Sequence, residues 1–232
     1  MAEQCWICGG SAETREHRIK ASDLKGFFGP ISPEKPLFMH GGGIRNRKIK
    51  GKTSLNLKYA RSLCAVCNNE RTQKHDKAWE DTASFLRSEK SPIKTGLKLD
   101  LKAALGENFR ERITDLQLFF VKQLGCLVIE GDAPIDLALC SKSIIENTAH
   151  PHVYLKFIKG FKVGELTMLS RSALTVASVS GKIISADFFY ILDDLAVFVL
   201  LARPNLPLAD LMIYAMQPNI PKRRHRIVHY NE

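Results

Sequence analysis

Four of the six cysteines form two C-x-x-C pairs, and this pattern constrains the chain more than any other feature of its sequence. The pairs are Cys5 with Cys8 and Cys64 with Cys67. Residues 1–4 carry no basic or long apolar export signal, so we expect a cytoplasmic protein, in which thiols stay reduced. Two pairs of reduced thiols at this spacing are typical of tetrahedral zinc sites, because a tight turn presents both sulfurs of a pair to one ion. We therefore expect the four cysteines to hold one structural Zn²⁺.

Positive charge is concentrated in one stretch of the chain. The 34 Lys and Arg side chains outnumber the 24 Asp and Glu side chains, which leaves a formal net charge of +10. No acidic residue occurs between Lys35 and Asn69, and eight positive charges lie there. Such a run is either a solvated loop or a site for a polyanion, and the overall charge favours nucleic acid. The cations expected to contact it, in a flexible Pro- and Gly-rich insertion at 30–52, are Arg45, Arg47, Lys48, Lys50 and Lys52.

The hydrophobic pattern changes along the chain from helical to β periodicity. Helical spacing predicts helices over 69–88, 100–124 and 134–147. Short apolar or alternating runs predict strands over 152–158, 165–169, 174–179, 183–192 and 196–201. Ser91-Pro92 and Thr95-Gly96 interrupt the pattern and predict a domain boundary at 90–98. We therefore predict an α+β fold with an N-terminal zinc-knuckle domain (1–92) and a C-terminal domain (98–232) of two helices and an antiparallel sheet.

Polar residues follow each cysteine pair in a characteristic order. Glu16-His17 comes eight residues after Cys8, and Asn68 directly follows Cys67, with Arg71 and Thr72 shortly after. Over residues 5–86 this order resembles the HNH endonuclease superfamily, in particular its endonuclease VII branch. The resemblance implies a ββα-metal site, in which a β-hairpin carries the acid-His pair and a following helix carries the last ligand.

The resemblance assigns roles to individual residues of this chain. His17 matches the general base, Glu16 the metal-binding acid, and Asn68 the second ligand of a catalytic Mg²⁺ or Mn²⁺ ion. Arg71 stands where the family commonly has a catalytic-site Lys. The Asn that braces the hairpin loop is either Asn46 or Asn56.

His75 and Asp76 follow Asn68 on the same predicted helix. They are seven and eight positions further on, about 10 to 12 Å along the helix axis. We therefore expect them to lie too far away for the metal at Asn68 and to face solvent or brace the helix.

These observations favour a metal-dependent HNH-type endonuclease that hydrolyses phosphodiester bonds of nucleic acid, with DNA as the favoured substrate. The alternative is a noncatalytic zinc-knuckle nucleic-acid-binding protein, which would use the cysteines and lysines but not His17. Family habit suggests an antiphage-defence effector. The C-terminal segment is expected to select substrate, form a homodimer or dock a regulatory protein. We expect no membrane partner, because the longest apolar run, at 195–202, has eight residues, whereas a bilayer requires roughly 20.

Overall fold

The computed structural model describes residues 4–41, 43–88, 98–160, 165, 167–202, 215–219 and 224–229. The helices are α1 (Ala21–Phe28), α2 (Gln73–Arg87), α3 (Leu101–Leu105), α4 (Phe109–Glu130) and α5 (Ala138–Glu146). The strands are β1 (Leu37–Gly41), β2 (Ile44–Ile49), β3 (Lys98–Asp100), β4 (Val153–Lys159), β5 (Leu169–Arg171), β6 (Thr175–Val179), β7 (Lys182–Leu192), β8 (Leu195–Ala202), β9 (Arg224–Arg226) and β10 (Val228–His229). Helices and antiparallel sheets together confirm the predicted α+β class.

The helix bounds differ from the prediction at identifiable turn residues. A π-helical turn, Val66–Arg71, leads into α2 and agrees with the helix predicted after the second cysteine pair. The helix predicted over 100–124 is two helices, because Gly106 ends α3 at a φ of 84°. The last predicted helix begins at Ala138 and not at Pro134, since the Asp136 carboxylate accepts a hydrogen bond from the Ala138 N–H at 2.8 Å.

The main sheet confirms the antiparallel β region predicted for the second half of the chain. Its strand order is β10-β4-β8-β7-β5, and β6 also pairs with β7. All of its pairs are antiparallel except β10 with β4. The strand predicted at 165–169 is wrong in position, because β5 begins only at Leu169 and residues 165, 167 and 168 are not in a strand; residue 166 lies outside the described residues. The unpredicted strand β9 pairs with β3, so the chain near its C-terminus returns to the start of α3.

The basic insertion contains a β-hairpin, β1–β2, with a register shift between Met39 and Gly41, where the sequence had predicted a flexible loop. The two strands pair with Leu37 opposite Ile49 and Met39 opposite Arg47. Ile49 is buried, and Leu37 and Met39 pack against the core, so apolar side chains on one face of the ribbon hold it to the protein. Gly43, at a φ of 79°, permits the turn between the strands.

Helix α4 lies at the centre of the molecule. Its side chains are buried at nearly every position from Leu116 to Val128, as expected for a helix surrounded by other elements. An aromatic cluster joins it to α2 and the sheet: Trp79 stacks on Phe119 at 5.4 Å between ring centroids and meets Tyr190 edge-on at 5.3 Å.

The buried apolar side chains form one hydrophobic core, whose members range in sequence from Cys5 to Ile227 and come from both predicted domains. The predicted boundary falls mainly on residues 89–97, which lie outside the described part of the chain. Because residues of both predicted domains share this core, the N-terminal segment packs directly on α4. This packing positions the candidate site.

Candidate functional site

The two C-x-x-C pairs come together as the sequence predicts. The four Sγ atoms of Cys5, Cys8, Cys64 and Cys67 all lie within 4.8 Å of one another, an arrangement able to hold a metal ion. Tight turns form both pairs: the Gly9 N–H donates to the Cys5 carbonyl at 2.8 Å, and the Cys67 N–H donates to Cys64 Sγ at 3.4 Å. Within the described residues, this is the one group of three or more His, Cys, Asp or Glu side chains close enough to share an ion.

Arg71 belongs to this cysteine cluster. Its Nη1 donates to Cys67 Sγ at 2.8 Å, where a guanidinium would offset the negative charge of thiolates that hold a metal ion. The side chains that line the neighbouring pocket do not include Arg71. The structure thus places this residue, which the resemblance assigns to the catalytic site, beside a cysteine sulfur.

A short antiparallel ladder positions Glu16 and His17. The segments 14–18 and 57–63 pair through isolated bridges, Thr14 with Leu63 and His17 with Lys58. The Tyr59 N–H donates to the Glu16 carbonyl at 2.9 Å. The second segment continues into the Cys64 turn and then into α2, so two β arms and a helix surround one depression.

That depression is a pocket of about 490 Å³. It brings together Glu16, His17 and Asn68, the three residues that the sequence had grouped, and adds Asp76. Four cations also line it, and none of them was assigned to the site from the sequence: Arg15, Lys20, Lys58 and Arg61.

The neutral His17 ring is held in one tautomer by its hydrogen bond. Its Nε2 lies 3.1 Å from the Lys52 carbonyl oxygen, which can only accept, so Nε2 carries the proton. Burial lowers the pKa of His17, which favours the neutral ring. Nδ1 therefore keeps a free lone pair, and no side chain or backbone group in the described residues donates to it. A neutral imidazole of this kind is able to accept a proton from a water molecule.

Glu16 is buried and ion-paired, which the sequence did not predict. Lys122 of α4, fully buried, places Nζ 2.9 Å from Glu16 Oε2 and 2.7 Å from Asp76 Oδ1. Burial alone would lower the pKa of Lys122, but the two carboxylates outweigh burial and raise it. Asp76 Oδ2 is paired in turn with Lys20 Nζ at 2.7 Å, and the pKa of Asp76 is lowered by both lysines despite burial.

The side chains fit the predicted catalytic Mg²⁺ or Mn²⁺ ion only in part. Asn68 Oδ1 is buried without a hydrogen-bond partner among the described residues, as a neutral oxygen ligand would be. Glu16 does not fit, because Oε2 is paired with Lys122 and Oε1 accepts the His17 N–H at 3.0 Å. An ammonium group already neutralises the carboxylate that the ion would need.

The two candidates for the loop-bracing Asn occupy different places. Asn56 Oδ1 accepts from Arg47 Nη1 at 2.9 Å, and this bond ties the basic hairpin to the segment that precedes Lys58. Asn46 lies within β2 at a φ of 52°. Asn56 therefore ties down the basic hairpin, and the assignment of the loop-bracing Asn stays a prediction.

The basic hairpin lies next to the pocket. The side chains of Arg45, Arg47, Lys48, Lys50 and Lys52 are all exposed. Lys52 follows the end of β2 by three residues, and its backbone carbonyl contacts the His17 ring, so the cationic segment reaches the pocket.

Comparison with known proteins adds no assignment, since the chain matches no protein-family model, no curated protein and no solved structure. The HNH resemblance therefore stays a prediction that rests on the motif residues. The helices that the structure describes include none long and apolar enough to cross a membrane.

Besides the four pocket cations, Lys122 and Asp76 are site residues that sequence reasoning missed. Lys122 stands in an otherwise mostly apolar helical stretch, and such a lysine needs a buried counter-charge, which is a usable signal. Asp76 was expected to be too far along the helix. It lines the same pocket as Asn68, because side chains on a helix lean toward its N-terminus. His75 is buried rather than solvent-facing and braces the helix through Asn147 Oδ1 at 2.9 Å.

Proposed function

We propose that this protein is an HNH-type endonuclease that hydrolyses phosphodiester bonds of nucleic acid, with His17 as the general base. One observation carries the proposal: a neutral His17 with a free Nδ1 lies in a pocket lined by four cations. A base for activating water and positive charge for a phosphate group are the two requirements of this hydrolysis.

The chemistry follows from the orientation of the His17 ring. Nδ1 accepts a proton from water, the water oxygen bonds to phosphorus, and the bond from phosphorus to the 3′-oxygen breaks. The Lys52 carbonyl fixes the tautomer, while Gln123 Nε2 donates to the His17 carbonyl at 3.2 Å and holds the backbone in place.

Zinc is the proposed occupant of the cysteine cluster. Four thiolates with no oxygen or nitrogen ligand favour Zn²⁺, and a site with four protein ligands leaves no open position for substrate. The ion would then be structural, since it joins the loop that precedes Glu16 to the start of α2.

DNA is the proposed substrate. Exposed cations on and just after the β1–β2 hairpin, linked to the pocket cations through the Lys52–His17 contact, would contact the regularly spaced phosphates of a duplex. The noncatalytic alternative uses the same surface, so binding alone does not distinguish the two.

The deciding experiment incubates the zinc-loaded protein with supercoiled plasmid, linear DNA and RNA, without added metal and with Mg²⁺ or Mn²⁺. Binding of each substrate is measured in parallel. We expect cleavage of DNA by the wild type and by His152→Gln, a matched variant of a partly exposed histidine outside the pocket, but not by His17→Ala. Tight binding without cleavage under every condition would instead establish the noncatalytic alternative.

A further inference from the structure

We propose that the Lys122 ammonium holds the position between Glu16 and Asp76 that a divalent cation would need, so that the pocket works without Mg²⁺ or Mn²⁺. The statement about catalysis rests on the proposed nuclease function. The statement about metal binding stands independently, because it depends only on the contacts of Lys122.

The ammonium group is fully satisfied where it lies. Nζ has three protons to donate, and its acceptors are Glu16 Oε2 at 2.9 Å, Asp76 Oδ1 at 2.7 Å and Thr72 Oγ1 at 3.2 Å. The side chain is fully buried, and it projects from the part of α4 that is buried at every position from Asp115 to Val128. Lys122 therefore cannot move into solvent without breaking all three bonds.

The charges around the acid pair already balance. Glu16 and Asp76 contribute two negative charges, and Lys122 and Lys20 contribute two positive charges at contact distance. A divalent cation entering here meets no net negative charge and is repelled by the nearby ammonium groups. Binding of a divalent cation at the predicted metal site is therefore electrostatically unfavourable.

The same neutralisation favours a phosphodiester. With the acid pair neutralised, Arg15, Lys58 and Arg61 remain on the pocket wall with one further carboxylate, Glu13, so the remaining charge there is still positive. The three cations would stabilise the negative charge that develops on the phosphoryl oxygens as the water oxygen bonds to phosphorus. The departing 3′-oxygen then takes a proton from solvent, which completes the hydrolysis with no ion held by the acid pair.

The direct test titrates Mn²⁺ into the zinc-loaded wild type and follows free Mn²⁺ by electron paramagnetic resonance. We expect no stoichiometric binding at micromolar Mn²⁺, and one bound Mn²⁺ per chain would overturn the proposal. The Lys122→Met variant should bind Mn²⁺ at least tenfold more tightly than wild type, because both carboxylates lose their shared ammonium. The double variant Lys122→Met/Glu16→Gln should lose most of that gain.

The wild type also provides a test that does not depend on the folding of a variant. Its cleavage rate should change less than twofold when Mg²⁺ and Mn²⁺ are removed. Zinc content is measured in the same samples to show that the cysteine cluster stays loaded. A rate that falls more than tenfold and recovers with Mg²⁺ overturns the proposal. A protein that binds no Mn²⁺ and cleaves nothing keeps the Lys122 assignment and overturns the nuclease function, so the two failures are distinguishable.

Discussion

The indole of Trp6 packs directly against Gly125 of helix α4, so closely that a Cβ at position 125 would overlap the ring. Trp6 lies between Cys5 and Cys8, and the Ile7 carbonyl accepts a hydrogen bond from Ser141 of α5. The first cysteine pair is therefore clamped by two helices from the second half of the chain. This contact makes the metal cluster and α4 parts of one packed unit.

The Gly125→Ala substitution should destabilise the protein by about 1 to 3 kcal/mol, because the added methyl forces Trp6 and its loop to move. Urea unfolding gives the free energy. Gly51→Ala is the matched control, since nothing lies within 4 Å of a Cβ at that position. Equal stability of the two variants would show that the Trp6 contact is dispensable.

Loss of the cysteine-bound ion should unfold the N-terminal segment. Cys64→Ser is expected to lower zinc content well below one ion per chain and to reduce the melting temperature sharply, since a structural zinc site contributes folding free energy. Elemental analysis with calorimetry measures both effects. Cys140→Ala, at a buried cysteine outside the cluster, should retain the full zinc content. A Cys64→Ser protein with unchanged zinc would refute the metal assignment.

The protein should lose stability between pH 6.5 and pH 4 because of two buried histidines. Burial lowers the pKa of His75 and of His150 to about 4, below the ordinary value of 6.5. As the pH falls through this window, the unfolded chain takes up protons before the folded one does, so folding weakens. Each histidine contributes on the order of 2 to 3 kcal/mol.

His150→Gln isolates one of these contributions. Glutamine can accept from the His152 N–H and donate to Cys140, as His150 does, but it does not titrate. The wild type should therefore lose more unfolding free energy than the variant as the pH falls from 7 to 4, so that the value of wild type minus variant decreases. A constant difference over this range would show that His150 is not the titrating group.

The basic hairpin should set the salt dependence of nucleic-acid binding. Neutralising Arg45, Arg47, Lys48, Lys50 and Lys52 should flatten the slope of log affinity against log salt by about 0.9 for each phosphate of duplex DNA that no longer has a cationic partner. Glutamine variants of the exposed Lys142 and Lys182, outside the hairpin and pocket, serve as controls. A slope that stays the same after all five changes means that the hairpin is only solvated.

Local patterns in the sequence predict much of this structure. The C-x-x-C spacing correctly predicts the cysteine cluster, and alternation over 152–201 predicts β4 and β6 to β8 to within about a residue at each end. The Glu16-His17 arm shows no such alternation, because residues 15–18 are all polar. In the structure this arm pairs with the second arm through isolated bridges. Its extended structure comes from contacts with the second arm.

Long-range partners are the part that the sequence does not predict. Lys122 and Glu16 are 106 positions apart, and the Tyr190 hydroxyl accepts from the Lys20 N–H and donates to the buried Asp23, across more than 160 residues. Charge and polarity indicate that such groups need partners, but tertiary packing decides which ones they find. The protonation state of His17 and the neutralised acid pair both depend on that choice.

The role of His17 as general base is best tested by single-turnover DNA cleavage across pH. We predict that His17→Ala is slower by roughly 10² to 10⁴ at neutral pH, with unchanged DNA affinity and zinc content. The wild-type rate should begin to fall only below pH 6.5, because burial lowers the pKa of His17 from that value. Cleavage by His17→Ala at the wild-type rate would refute this role.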